Sequence, residues 1–297
     1  MKNNQALIDQ IANDCILRWG EDDKTKEFSV KLSKFMSQLG NQSDIVDILL
    51  ELVRNYNYYS RNKIDSIFNG FYNHIKNVLL LRKDYTIYSI IEDGKKINSS
   101  ATLLEEFKLL NRIPSDYSHR IEEINISQLE NIENIVFFDD IIGTGKTVED
   151  FFSVNLAKFK NVKCFIFCIE IMSPTMERLN KYFIENNISC NVIPHKIQEK
   201  AFDGQVIFGA ESKQNENVLK VFEERLWSVG NAFILGYGNS QAIVSFFRNT
   251  PNNTISSFWC DKESWGALFP RSNEKPAFLK TNRSKVRSNI KKYQRST

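Results

Sequence analysis

The residues best suited to chemistry lie between Asn134 and Thr147, where Ile135 to Phe138 give way to Asp139 and Asp140 and then to Ile141-Ile142-Gly143-Thr144-Gly145-Lys146-Thr147. A turn rich in glycine and threonine frees backbone N–H groups. The helix start that follows adds the positive end of its dipole, and together they favour an anion by roughly 0.3 to 1 kcal/mol near the surface. The carboxylates need a different partner. Two of them about 4 Å apart repel by roughly 4 kcal/mol at an effective dielectric of about 20. They suit sugar hydroxyls, which donate hydrogen bonds, or a magnesium ion held through water. A ribose 5-phosphate offers both a hydroxyl pair and a phosphate.

Two other readings compete for the same stretch. A nucleotide-triphosphate P-loop needs glycine five residues before the glycine of Gly-Lys-Thr, and Asp140 stands there, so that pattern fails on its first element. An ordinary strand-to-helix turn with aspartates as caps would leave the register of two aspartates, two glycines and two threonines without a reason. For positioning, four consecutive large apolar residues predict that Ile135–Phe138 is a strand buried on both faces. The spacing of Thr147 and Asp150 predicts a helix-opening capping pair. Strand, loop and helix in that order place the aspartates at a strand's carboxyl end, where open α/β sheets bind ligands.

The order Asp-Asp-Ile-Ile-Gly-Thr-Gly-Lys-Thr resembles the phosphoribosyl diphosphate (PRPP) motif of the type I phosphoribosyltransferases. The resemblance implies that Asp139 and Asp140 hold the ribose 2- and 3-hydroxyls, with magnesium bound indirectly. It further implies that Gly143, Thr144, Gly145, Lys146 and Thr147 cradle the 5-phosphate; Lys146 stands where that family more often has glycine. The loop after the first sheet strand would bind the pyrophosphate, which nominates Lys95, Lys96 and Ser99. Later in the chain, Gly236-Tyr-Gly-Asn239, Thr250-Pro-Asn-Asn-Thr254 and Trp265-x-x-Leu-Phe-Pro-Arg271 resemble the phosphoribosyltransferase-like family of bacterial conflict systems called PRTase-CE. That resemblance implies an acceptor-receiving cap, with Asn252, Asn253, Phe258, Trp259 and Arg271 as candidates. It also implies an antiviral effector, encoded beside a sensor or a reverse transcriptase as in some retrons.

The remaining elements follow from periodicity. Residues 3–82 read as four amphipathic helices, with stripes such as Leu7, Ile8, Ile11, Ala12, Cys15, Ile16 and Trp19 in the first and Ile64, Ile67, Phe68, Phe71, Ile75, Val78 and Leu79 in the fourth. Strands are expected at Tyr85–Ile91, Cys164–Ile171, Cys190–Ile197 and Ala242–Phe247, with a helix opening at Ser99-Ser100 and another at Pro174. The stretch 113–134 reads as polar loop with a short pairing around Ile124 and Ile126. Alternating strands and helices predict a mainly parallel sheet. The expected fold class is thus α/β: a phosphoribosyltransferase-like sheet flanked by helices, an N-terminal all-helical region and a C-terminal aromatic cap. The division expected is 1–83 helical, 84–272 α/β with its cap, and 273–297 a basic tail.

Bulk properties exclude several classes. The 297 residues are 42% hydrophobic with a net charge of +3, so only local charge clusters argue for a polyanion. One cluster exists: Lys280, Arg283, Lys285, Arg287, Lys291, Lys292 and Arg295, a segment suited to salt-sensitive contact with nucleic acid. Five scattered cysteines within apolar runs suggest reduced, buried thiols and a cytoplasmic protein. Cys164 and Cys168 stand more than roughly 10 Å apart on one strand and cannot share a zinc ion unaided. The three histidines show no metal-ligand spacing, and neither a signal peptide nor a membrane span is read from the sequence. Two further functions stay open beside ribose-phosphate transfer or cleavage: a non-catalytic PRPP or nucleotide sensor that uses its tail on nucleic acid, and a partner-binding module.

Overall fold

The computed structural model describes residues 2–91, 99–204, 206–227, 230–262 and 264–271. Lys95, Lys96 and the basic tail lie outside the described residues. Three helices open the chain: α1 (Lys2–Trp19), α2 (Phe28–Ser37) and α3 (Ser43–Arg54). Each buries most of the stripe that its three- and four-residue steps predict, for example Ile8, Ile11, Ala12, Cys15 and Trp19 in α1, where Leu7 is exposed. A short strand β1 (Asn57–Tyr59) separates them from α4 (Arg61–Asn77). The sequence reading missed this strand because Tyr56 continues the period of α3. Tyr56 instead lies past the helix end and donates its hydroxyl to Val244 O (3.1 Å). Val78, expected on the fourth stripe, is exposed at the helix end.

The main sheet is formed by β2 (Thr86–Ser89), β3 (Asn134–Ile142), β4 (Lys163–Met172) and β5 (Cys190–Gln198), in that order and all parallel. Its central strands are apolar on both faces, as two-sided burial requires. Val136 and Phe138 pack with α4 and with α5 (Ser99–Asn111). Ile135 and Phe137 pack with α7 (Lys146–Val154) and α8 (Ser173–Glu185) on the other side. Pro194 falls on β5, an edge strand, where a missing N–H is tolerated.

Between β2 and β3 the chain changes faces. From α5 it reaches Ser118 and His119, which bridge to Tyr88 with His119 N donating to Tyr88 O (3.1 Å), on the β2 edge away from β3. It then returns by Ile121, Ile124 and the short helix α6 (Ile126–Leu129) along the α7–α8 face. The expected pairing around Ile124 and Ile126 does not form: Ile124 is buried, and exposed Ile126 opens α6 behind an Asn125–Gln128 capping box. Because α5 leaves β2 towards one face and α7 leaves β3 towards the other, a crevice opens between the carboxyl ends of these two strands.

After β5 the chain forms α9 (Ser212–Leu226) and then β6 (Val244–Phe246), which pairs in parallel with β1. The aromatic stretch that follows becomes core. Phe269 stacks on Phe28, Tyr56 and Tyr58 with centroids 5.9, 5.2 and 5.6 Å away. Trp259 and Trp265 donate their indole N–H groups to Thr254 O (2.7 Å) and Ser257 O (2.9 Å). Each buried aromatic contributes about 1.5 to 3 kcal/mol. The first three helices, α9 and residues 255–269 thus share one core, so an apolar layer crosses the division expected at residue 83. Among the described residues, no helix is long and apolar enough to cross a membrane. Four cysteines are buried and Cys190 is half-buried, all as free thiols.

The β1–β6 pair is tied to the main sheet by Tyr59, whose hydroxyl donates to Glu170 on β4 (2.8 Å). Glu170 is fully buried with its Oε2 unpartnered, and burial pushes its carboxyl up to about 7 from an ordinary 4.5. The folded chain therefore holds this proton more tightly than the unfolded chain. Its stabilising effect is complete below pH 4.5 and is lost as pH rises towards 7. Glu170→Gln keeps the acceptor for Tyr59 and removes the titration. Denaturant unfolding should show wild type losing up to about 3 kcal/mol between pH 4.5 and 7.5 relative to this variant; parallel pH profiles would refute the assignment.

Candidate functional site

The two aspartates lie within the last four residues of β3, one turn of pleat before the loop. Adjacent strand residues normally point to opposite faces. Here the ladder to β4 pairs Asp139 with Cys168 and Ile141 with Glu170 but skips Asp140. Each carboxylate folds back on the next backbone N–H: Asp140 N donates to Asp139 Oδ1 (2.9 Å) and Ile141 N to Asp140 Oδ1 (2.8 Å). Ser99, first residue of α5, lies 2.9 Å from Asp140 Oδ1 and 3.4 Å from Asp139 Oδ1 through its hydroxyl. Ser100 donates to Phe138 O (2.6 Å), which fixes the start of α5 against β3.

Burial, reinforced by the charge of Asp140, raises the Asp139 carboxyl well above the usual carboxylate range. Among the described residues, neither Oδ2 atom has a hydrogen-bond partner, and neither aspartate has an ion-pair partner. Beyond Ser99 and these backbone N–H groups, the outer oxygens of the pair suit further donors such as sugar hydroxyls, or a hydrated divalent ion.

The loop after β3 is held from behind. Thr175 donates to Gly143 O (2.5 Å), and the Arg178 guanidinium donates to Thr144 O while pairing with Glu149 (2.8 Å). With its carbonyls engaged by α8, the loop leaves the first N–H groups of α7 at Lys146, Thr147 and Val148 without intrahelical partners. Gly145, at φ +68°, is the N-cap residue, so Thr147 lies inside the helix and forms no capping pair with Asp150. Asp150 instead pairs with Lys146 (3.0 Å), whose side chain is largely exposed.

The returning chain covers this loop from the front. A Cβ on Gly143 would fall 2.0 Å from Asn253 Nδ2, and one on Gly236 would fall 2.1 Å from the Asn253 carbonyl oxygen. These contacts enclose two cavities that share Asp139, Ile141, Thr147, Asn252 and Asn253. The first, of about 440 Å³, follows the loop from Gly143 to Val148 and is bounded by Tyr237. The second, of about 590 Å³, lies beyond Asp140 and is bounded by Ser99, Thr102, Arg248, Asn249 and Arg271. Both are of a size that encloses a small organic ligand.

A family model, PRTase-CE, matches residues 32–271. The chain belongs to the PRTase-CE family. No curated protein matches it. Among solved structures, the Helicobacter pylori xanthine-guanine-hypoxanthine phosphoribosyltransferase is similar at 10% identity over 48% of this chain and 89% of that one, with a TM-score of 0.31.

In this PRTase-CE chain the cleft brings together Asp139, Asp140, Gly143 to Thr147, Ser99, Asn252, Asn253 and Arg271. Phe258 and Trp259 line neither cavity; both are buried, Phe258 in the core shared with α1–α3. Sequence reasoning missed Tyr237, Arg248 and Asn249 as cavity residues. Tyr237 lies inside a quoted motif, and Arg248-Asn249 directly follow the last strand, the position from which a side chain reaches the cleft.

The PRTase-CE cleft depends on the close approach at Gly236 (φ +83°). Gly209 also has positive φ, at +54°, but open space around its Cβ position, whereas Gly236, at φ +83° and ψ +154°, adds a backbone conformation that only glycine adopts readily to the close contact. Gly236→Ala should lower the melting temperature by several degrees more than Gly209→Ala. Equal losses would show that the contact with Asn253 carries no weight.

Proposed function

We propose that this chain binds PRPP or a nucleotide and transfers or cleaves its ribose 5-phosphate group. The observation that carries this reading is that Asp139 lines both the cavity that follows the loop and helix start, with their N–H groups, and the adjoining cavity that Asp140 lines. The 5-phosphate would lie on the N–H groups around Gly145 to Thr147. The ribose 2- and 3-hydroxyls would donate to Asp139 and Asp140. The anomeric carbon would then face the second cavity, where the acceptor or the water of a cleavage reaction enters.

Magnesium fits the donor set, because two hard carboxylates beside one another bind a hydrated divalent ion through its waters. Bound there, it would neutralise charge on the departing diphosphate. The chain's own contribution is electrostatic and positional. As the bond at the anomeric carbon breaks, positive charge develops on the sugar, and the nearby carboxylates stabilise it. The covering segment at Tyr237, Asn252 and Asn253 would restrict water around that carbon. Participation in a bacterial conflict system, with a reverse transcriptase or sensor as partner, belongs to the same proposal on the strength of the resemblance.

Isothermal calorimetry with PRPP and magnesium tests the site. Wild type should bind, and Asp139→Asn/Asp140→Asn should bind at least tenfold more weakly. Because the Asp139 carboxyl is raised, wild-type affinity should increase as pH rises through its titration, and Asp139→Asn should lose that dependence. Equal binding by both proteins would remove the aspartates from the site. No binding by either would defeat the proposal.

A further inference from the structure

The first cavity is longer than a phosphate needs. Beyond the loop it is lined by Thr147, Val148, Phe151, Val154 and Asn155, whose spacing by three, four and seven residues places them on one face of α7. The cavity therefore follows that helix from its first turn to its end, a length of roughly 12 Å. A phosphate seated at the helix start would leave most of the 440 Å³ unfilled, and cavities of this size enclose whole small molecules.

The wall changes character along that length. At the loop end it offers backbone N–H groups and the ammonium of Lys146, whose pairing with Asp150 is exposed and therefore easily exchanged for a phosphate. In the middle, Val148 and Phe151 present apolar surface. At the far end the polar groups are acceptors. Glu122 brings its carboxylate, and Asn155 donates from Nδ2 to Phe151 O (3.0 Å), which leaves Oδ1 as its free acceptor. Among the described residues, no hydrogen bond reaches either acceptor. Lys158 holds Glu122 in place by donating to the carbonyls of Ile121 (2.5 Å) and Glu122 (3.3 Å).

A cation beside N–H groups, then an apolar wall, then acceptors is the order in which a second phosphate and a nucleoside would meet them. The base suits the apolar wall, and ribose hydroxyls and an exocyclic amine are donors for Glu122 and Asn155. A further phosphate would be repelled by Glu122, which argues against a longer polyanion. On the ribose-phosphate reading of the cleft, which this assignment presupposes, we propose that the ligand is a diphosphate-linked dinucleotide. Its reacting ribose lies at Asp139 and Asp140, its first phosphate on the loop and its second at Lys146. Its other nucleoside runs along α7 as far as Glu122 and Asn155.

Isothermal calorimetry in magnesium buffer with ADP-ribose and with ribose 5-phosphate tests this assignment. The second probe is the first cut back to the reacting sugar and one phosphate, and neither carries a leaving group, so binding is measured without turnover. Wild type should bind ADP-ribose at least about tenfold more tightly than ribose 5-phosphate. Glu122→Ala and Val154→Arg change exposed side chains at the far end of the cavity, and each should reduce that ratio of affinities at least about fivefold. Equal affinity of the wild type for the two probes would overturn the dinucleotide and leave the ribose-phosphate reading in place. A preference kept in full by both variants would overturn it as well, because the nucleoside would then lie elsewhere. Binding of neither probe would defeat the ribose-phosphate reading and the dinucleotide with it.

Discussion

The amide of Asn253 lies against the Cα of Gly143, and the rest of the structure is arranged to hold it there. That approach is closer than any side chain at residue 143 would permit, so the loop after β3 and the segment after β6 form one unit. Three supports converge on it. Thr175 and Arg178 hold the loop from α8, Ser240 donates to Asn253 O (2.6 Å), and Tyr237 N donates to Asn252 O (2.8 Å). Because both sides are fixed by hydrogen bonds to backbone atoms, the cavity walls depend on chain path more than on the side chains that line them.

That path is set far from the cleft. Glu223 on α9 is buried and accepts from Ser257 N (2.6 Å), Ser257 Oγ (2.6 Å) and Leu235 N (2.5 Å). One carboxylate thereby fixes both the approach to Gly236 and the strip beyond Asn253. A buried charge with three donors is tolerable, whereas removal of the donors would leave it unpaired. Phe269, Trp265 and Phe258 then anchor the strip in the α1–α3 core. The N-terminal helices thus act on the cleft by holding the segment that covers it, without lining either cavity themselves.

The sequence disclosed the local parts of this arrangement and hid the long-range ones. Ile135–Phe138 could be read as a two-sided strand because every residue was large and apolar, and the Gly143–Thr147 turn because its composition serves a backbone purpose. The stripes of α1 to α4 were legible for the same reason, since a helix face repeats within the helix. β1 was hidden: three residues carry too little period to outweigh the helix before them, and their pairing partner is β6, almost two hundred residues later. Phe258 and Trp259 looked like a binding surface because a sequence gives aromatic density without its direction. The Thr147–Asp150 spacing misled because Gly145 in the left-handed region starts α7 and leaves Asp150 to Lys146.

The distribution of charge around the cleft gives these geometric facts a chemical sense. Lys146 is paired with Asp150, Arg178 with Glu149 and Arg248 with Glu106. Where such pairs are exposed they contribute little stability, about 0–1 kcal/mol each, but they cancel the local field. Around the second cavity, what stays uncancelled among the described residues is Asp139 and Asp140 on one wall and Arg271 on the other. Burial lowers the Arg271 guanidinium from its ordinary value while the charge of Asp140 opposes that shift, so the two walls already feel each other across the cavity. They do not collapse into an ion pair, because Arg271 is held by Thr250 O and the aspartates by their own backbone. Charges kept apart in a partly dry space remain strong. A ligand that presents donors or a cation to one wall and an anion to the other gains from both, and a neutral ligand gains from neither. The selectivity of the cleft therefore rests on keeping those two walls separate, which is the work of the contact between Asn253 and Gly143.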